Sequence, residues 1–253
     1  MEFPEKLYEN LDLLVRGFFI VSTFLLLLTG SSKTLFSYTL YGKRLTTSNR
    51  YNYSKFLVPK SLFSTFYVVG LISNGFLFYK EHREFFNIFR VMFITHILRR
   101  LFEQVFLFAR LPKPSKMHLL AYLFGLSYYV ATAFAVNNPN NYAPIKFCVF
   151  LNMFAQGLQF YCHVKLSKLR TDTSDAKVYK VPKGGPFNFI LCPHYLAEIL
   201  IYVSLCCNLN MLLCLIFVTV ELSSLAHTNK VWYFQNFPKS QLHTNKALLP
   251  FVF

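Results

Sequence analysis

Three groups of ionisable and polar residues stand inside apolar runs, where a charged side chain is costly and marks a candidate functional site. The first is His96, Arg99, Arg100 and Glu103. Offsets of three, four and seven put all four on one helical face. Such a stripe must face protein, water or a ligand. Two adjacent arginines exceed what one glutamate neutralises, so the group reads either as an ion-pair staple between helices or as a site for a phosphate or a carbonyl oxygen. The second group is Gln159, His163 and Arg170, again on one face. It is either a helix end whose long side chains reach for the membrane interface or part of a binding site. The third is His194 and Glu198, four apart. This is either a hydrogen bond that fixes a histidine tautomer or a pair that binds a polar ligand.

No metal is expected, because His194 and Glu198 supply only two ligands and His-Glu-x-x-His does not occur. The 6 cysteines lie in or beside apolar runs without a Cys-x-x-Cys pair, and they read as small buried hydrophobes. Neither Gly-x-Gly-x-x-Gly nor a P-loop motif occurs, so any nucleotide is held outside a Rossmann frame. Between the second and third groups runs Tyr179-Lys180-Val181-Pro182-Lys183-Gly184-Gly185-Pro186. It reads as a tight turn that sends the chain back to the membrane, with two glycines that admit close approach by a ligand.

The elements that must position these groups are membrane helices. Of the 253 residues 54% are hydrophobic and 15% charged, against about 25% charged in a soluble domain. This excludes a soluble globule and a disordered chain. The expected class is an all-α, polytopic integral membrane protein of about seven transmembrane helices, each needing ~20 apolar residues. The spans expected are 11–30, 58–79, 86–109, 117–136 and 143–164, with a sixth and a seventh sharing 187–227 around a break at Asn208-Leu209-Asn210. The first follows acidic Glu2, Glu5 and Glu9 and is not expected to be a cleaved signal. Residues 1–253 read as one membrane domain. The excess of 26 Lys and Arg over 11 Asp and Glu gathers in residues 31–60, 110–116, 165–183 and the tail. Those loops are therefore cytosolic, the N-terminus is outside and the C-terminus is in the cytosol. Nucleic acid is not an expected partner.

Further residues join these groups into a pattern. They are Val58-Pro59-Lys60 with Asn74-Gly75-Phe76; His96 with Arg99-Arg100-Leu101 and Glu103; and Phe124-Gly125-Leu126 with Tyr128-Tyr129. They continue with Cys162-His163 to Leu169-Arg170, Pro182 to Gly185, and Pro193 with Tyr195-Leu196-Ala197-Glu198, and they end with His227, Phe237-Pro238-Lys239 and the closing Leu249-Pro250-Phe251-Val252-Phe253. Together they resemble the steroid 5-alpha-reductase family, and more closely its polyprenol (polyprenal) reductase branch. The resemblance covers residues 58–253. It implies an endoplasmic-reticulum enzyme that uses NADPH to saturate a carbon–carbon double bond conjugated to a carbonyl, within the dolichol route that serves protein glycosylation. The implied lipid partner is a long-chain polyisoprenoid. Family cofactor positions fall on Gln159, His163, Arg170, Tyr179, His194 and Glu198, within a cofactor-binding half at 143–253. The chain departs from the family where an aspartate and an asparagine become His163 and His194, where a tail tyrosine becomes Lys230, and at Gln241 to Thr244 and Asn245. The steroid enzymes' Gln-Glu substrate pair is absent, and Phe66-Tyr67 stands near its place. That argues against a steroid.

Hydride attacks an electron-poor carbon, so the enal polyprenal, not the alcohol, is the expected acceptor. The site must donate a hydrogen bond to the carbonyl as charge develops there and supply a proton to the alpha carbon. Tyr67 is the favoured carbonyl donor, helped by His96 or Arg100, with Glu103 beside them. His227 is a candidate acid. Arg99, Arg100, Arg170 and Lys183 suit the cofactor's phosphates, and Glu198 suits the nicotinamide amide. Phe18, Phe19, Phe124 and Tyr128 read either as a lateral gate for the lipid or as ordinary helix packing.

Two rivals within membrane enzymes are a sterol enone reductase and an isoprenylcysteine-methyltransferase-like protein, whose methyl donor lacks the 2′-phosphate and needs fewer cations. A scaffold or lipid carrier has no reason to place so many charges at membrane depth. The orientation carries a direct test. The sequon Asn52-Tyr53-Ser54 lies on the cytosolic side and stays unglycosylated, so glycosidase treatment of the expressed protein leaves its gel mobility unchanged.

Overall fold

The computed structural model describes residues 5–31, 56–80, 87–108, 116–137, 144–171, 180–238, 244 and 246–248. The sequon and Tyr179 lie outside the described residues, and so does the side chain of Arg170. The helices are α1 (Glu5–Ser31), α2 (Phe63–Lys80), α3 (Ile88–Phe102), α4 (Leu119–Ala135), α5 (Ile145–Thr171), α6 (Pro193–Ser204) and α7 (Leu209–Asn236). A π turn, Glu103–Phe108, extends α3. Two three-residue strands, β1 (Leu57–Pro59) and β2 (Lys116–His118), add a small antiparallel ribbon to the expected all-α fold. Among the described residues, two helices are long and apolar enough to cross a membrane, over Lys6–Leu28 and Leu209–Asn236. Outward-facing apolar side chains point the same way. Leu13, Leu14 and Phe24 on α1, and Phe150 and Met153 on α5, are exposed, an arrangement that suits lipid rather than water.

The sixth expected span is shorter than its composition predicts. Pro186 lies in a 3-10 turn, Gly185–Asn188, and Pro193 opens α6 at its first position. A proline serves the first turn but cannot continue a helix arriving from upstream. The result is a helix of 12 residues, about 18 Å at 1.5 Å per residue, against a hydrocarbon core of about 30 Å. The break expected at Asn208 falls where α6 gives way to α7.

The described residues up to 137, together with 207–214, pack as one compact unit. In it α2 packs on α4 and α3, and α1 packs on α4. The ribbon pairs Leu57 with His118 and Pro59 with Lys116. His118 then caps α4, its Nδ1 accepting the Leu120 N–H at 3.2 Å. The other end of α4 is closed by two asparagines. Asn87 caps α3 by accepting the Phe89 and Arg90 N–H groups, and its amide donates to Val136 O at 2.9 Å. Asn208 accepts the Met211 N–H at the start of α7 and donates to Ala135 O at 2.8 Å. Helix ends leave such carbonyls without an internal partner, and these two amides supply one. Arg16, Asp12 and Asn210 close a further hydrogen-bonded set between α1 and the first turn of α7. Phe18 stacks on Phe124 at 5.6 Å, and Phe19 meets Tyr128 edge-on at 6.2 Å.

The second unit holds residues 144–206 and the described residues from 215 onward, with α5 packed along α6. Its core gathers Leu191, Cys192, Ala226, Tyr233, Ala247 and Leu248. The tail is stitched to the chain that enters α6. The Leu191 N–H donates to Lys246 O at 2.9 Å, the Cys192 N–H donates to Ala247 O at 3.0 Å, and Thr244 Oγ1 donates to Phe189 O at 2.9 Å. All six cysteines are free, five of them buried and Cys206 half-buried.

Among the described glycines of the first unit, Gly125 has the least space for a side chain. A Cβ there would lie 2.7 Å from Phe66 Cζ, and Phe66 is itself wedged between Phe63, Tyr122 and Tyr129. The ring has nowhere to go. Gly125→Ala is therefore expected to destabilise by about 1–3 kcal/mol, the usual range for overpacking, seen as a lower midpoint in thermal unfolding in detergent.

Candidate active site

The first unit brings together five of the residues singled out above. His96 and Glu103 have no exposure at all. A carboxylate out of water needs a charged partner, and Glu103 has two. Arg99 donates to its Oε1, and Arg100 donates to its Oε2 at 2.6 Å. The second guanidinium nitrogen of Arg99 lies 3.3 Å from His96 Nδ1. The Arg100 guanidinium sits 5.7 Å above the ring of Tyr67, and Tyr67, 4% exposed, meets Tyr129 edge-on at 5.5 Å. Among the described residues, the cluster sets one carboxylate against two guanidiniums. The helical spacing produces this directly, since Glu103 follows Arg99 by four residues and Arg100 by three. Such a cluster, with a buried phenol under a cation, suits an oxygen that gains negative charge during reaction.

The second unit brings together Gln159, His163, His194 and Glu198. Gln159, 2% exposed, donates through Nε2 to Glu198 Oε2 and also, at 3.3 Å, to the carbonyl of His194. The rings of His163 and His194 lie 5.9 Å apart. Gln159 of α5 thus joins the His194 carbonyl to the Glu198 carboxylate and holds the first turn of α6. Lys183 stands on the glycine turn ahead of α6, where its carbonyl accepts from Lys165 Nζ at 2.9 Å. His227 is exposed on α7. Among the described residues no three of His, Cys, Asp and Glu gather to hold a metal ion.

Several members of this site went unread in the sequence. Asn152 and Gln156 continue the α5 stripe of Gln159 and His163 by one and two further turns. Asn152 donates to Ser204 Oγ at 2.8 Å and Gln156 donates to Asn152 Oδ1 at 2.6 Å. The signal was present, for the offsets from Asn152 to Gln156, Gln159 and His163 are four, seven and eleven. Asn229 donates to the Tyr195 hydroxyl at 3.3 Å and faces Cys192 Sγ at 3.7 Å, fixing α7 to the start of α6.

Apolar helices that carry a buried arginine–glutamate cluster and a polar α5–α6 seam fit an oxidoreductase of a membrane family acting on CH–CH groups. The family model described as 3-oxo-5-alpha-steroid 4-dehydrogenase matches residues 115–253, more than half of the chain, and the chain belongs to that family. It is 28% identical to Polyprenal reductase 1 of Arabidopsis thaliana, over 79% of this chain and 82% of that protein. It is 28% identical to Polyprenal reductase of Homo sapiens, over 78% of this chain and 79% of that protein. With Polyprenal reductase of Danio rerio it shares 32% identity over 64% of this chain and 59% of the relative.

Removing Glu103 alone takes from two guanidiniums the carboxylate that they share. Glu103→Leu is expected to cost about 3–5 kcal/mol, as when one partner of a buried pair is deleted. Replacing the whole set by apolar residues (R99M, R100M, E103L) recovers most of that loss. Thermal unfolding of the two variants checks both expectations.

Proposed function

We propose that this chain is an NADPH-dependent polyprenal reductase, saturating the alpha-isoprene double bond of a long-chain enal on the way to dolichol. The observation that carries this reading is the match to polyprenal reductases over nearly four-fifths of the chain. The cluster at Tyr67, His96 and Arg100 gives it a chemical basis. The protein then sits in the endoplasmic-reticulum membrane with seven helical segments, the short α6 among them, its N-terminus lumenal and its C-terminus cytosolic.

The donor set fits a nicotinamide dinucleotide. Gln159 and Glu198 offer a carboxamide and a carboxylate that match the two faces of a primary amide. Lys183 and Arg170, with Tyr179, suit the phosphate end. When bound, NADPH supplies a hydride to the beta carbon of the enal. Tyr67 donates a hydrogen bond to the carbonyl oxygen as the double-bond electrons shift toward it. Arg100, above the Tyr67 ring, and His96 lower the cost of that charge. Glu103 holds Arg99 and Arg100 in place, and on this reading both arginines serve the carbonyl end rather than a phosphate. His227 is the candidate source of the proton that the alpha carbon takes up, which leaves the saturated aldehyde.

A 3-oxo steroid is the second reading, favoured by the description of the family model. The test is NADPH oxidation by the purified chain in detergent, with polyprenal, polyprenol and a 3-oxo-4-ene steroid offered separately. Turnover with polyprenal alone supports the reading. Turnover with polyprenol alone overturns the electrophile argument, and turnover with the steroid alone selects the second reading. In Tyr67→Phe the turnover number is expected to fall by about 10²–10³, the cost of one lost oxyanion donor, with NADPH affinity unchanged. Unaltered turnover removes Tyr67 from the chemistry.

A further inference from the structure

The turn ahead of α6 is clasped by a residue with no role so far. Lys165 lies on α5, one helical turn beyond Tyr161. Its Nζ donates to Lys183 O at 2.9 Å and stands 5.4 Å over the Tyr161 ring. Gly184 has φ 84° and Gly185 has φ 61°, a region that L side chains rarely adopt. A side chain would also press on the ends of two neighbouring side chains. A Cβ at Gly184 would come within 2.8 Å of Lys165 Nζ, and one at Gly185 would come within 2.8 Å of the Tyr161 hydroxyl. The Gly184 N–H is held by Asn188 Oδ1 at 2.7 Å. The backbone from Lys183 to Asn188 is thus drawn against α5 with an ammonium at its edge. Among the described residues, neither Lys165 nor Lys183 is paired with a carboxylate. An ammonium has three N–H donors, and the Lys183 carbonyl takes one of them.

We infer that Lys165, together with Lys183 and the Gly184-Gly185 backbone, forms a phosphate-recognition corner of the dinucleotide site. Lys165 acts there both as the strut of the turn and as a direct contact to phosphate oxygens. Two cations beside a backbone without side chains answer what a phosphate requires: charge-assisted donors and close approach. The inference rests on the reading of the chain as a dinucleotide-dependent reductase. The phosphate is either the 2′-phosphate or the pyrophosphate, and the ligands used in the test separate the two.

The experiment is equilibrium binding to the full chain in detergent, without lipid substrate. The ligands are NADPH, NADH and adenosine 2′-monophosphate, and the proteins are wild type, Lys165→Met, Lys165→Gln and Lys165→Arg. Lys165→Gln removes the charge and keeps a donor for the Lys183 carbonyl. Both Lys165→Met and Lys165→Gln are expected to weaken NADPH binding by about tenfold to a hundredfold, the worth of one charge-assisted hydrogen bond, and Lys165→Arg to retain most of it. Loss confined to NADPH and adenosine 2′-monophosphate assigns the 2′-phosphate. Equal loss for NADPH and NADH assigns the pyrophosphate. Affinities within twofold of wild type in Lys165→Met overturn the inference. So does full recovery in Lys165→Gln, which would reduce Lys165 to a strut. Wild type that binds no NADPH overturns the dinucleotide reading itself, and the inference with it. If Lys165→Met does not fold, the comparison of Lys165→Gln with Lys165→Arg decides alone.

Discussion

In an apolar helical chain every polar group turned from water has to be answered by another residue, and Glu103 is the severest case. Its carboxylate has no exposure, so its position is set by the two guanidiniums that meet it. Those cations are themselves placed, one beside His96 and the other over Tyr67. One buried negative charge thereby fixes the orientation of four other side chains on α3 and α2. The same demand for internal satisfaction shapes the second unit, where amides take the part of charges. Asn152, Gln156 and Gln159 bind Ser204, each other and Glu198 along one seam. Polar contacts of this kind hold helices together where apolar surface gives no preference between lipid and protein.

The short α6 depends on this seam and on the tail. A helix of 12 residues has little stability of its own. It is supported by Gln159 along one side, by Asn229 through Tyr195, and at its entry by the carbonyls of Lys246 and Ala247. Thr244, which falls in the tail residues where the chain departs from its family, supplies one of those stitches.

Helical periodicity made much of this legible in the sequence. The face shared by His96, Arg99, Arg100 and Glu103 follows from spacing alone, and the meeting of Gln159 with Glu198 was foreshadowed by their common assignment. Spacing does not say which partner a charge takes. The sequence cannot show that both oxygens of Glu103 are engaged by these arginines. The length of α6 was hidden for a related reason. Phe187 to Ser204 is apolar enough for a span, and only Pro186 and Pro193 mark that the first part is not helix. Lys165 escaped because a lysine near a helix end reads as a topology signal, whereas here it reaches a carbonyl eighteen residues along the chain. The three-residue strands were below what alternation can reveal.

The asparagine caps have a mechanical consequence. At its last turn α4 is tied to the starts of α3 and α7 by Asn87 and Asn208. At its first turn it continues from β2, which is laddered to β1 just ahead of α2. A helix anchored at both ends can neither slide along its axis nor turn about it without breaking several hydrogen bonds at once. Among the described residues, helix α1 is held by contacts of another kind. It meets α4 through Phe18 and Phe19, and its polar tie runs through Asp12 and Arg16 near one end. Stacked rings tolerate displacement that a hydrogen-bonded cap does not. Of these contacts, the stacked rings between α1 and α4 are the ones that would yield to a small displacement first.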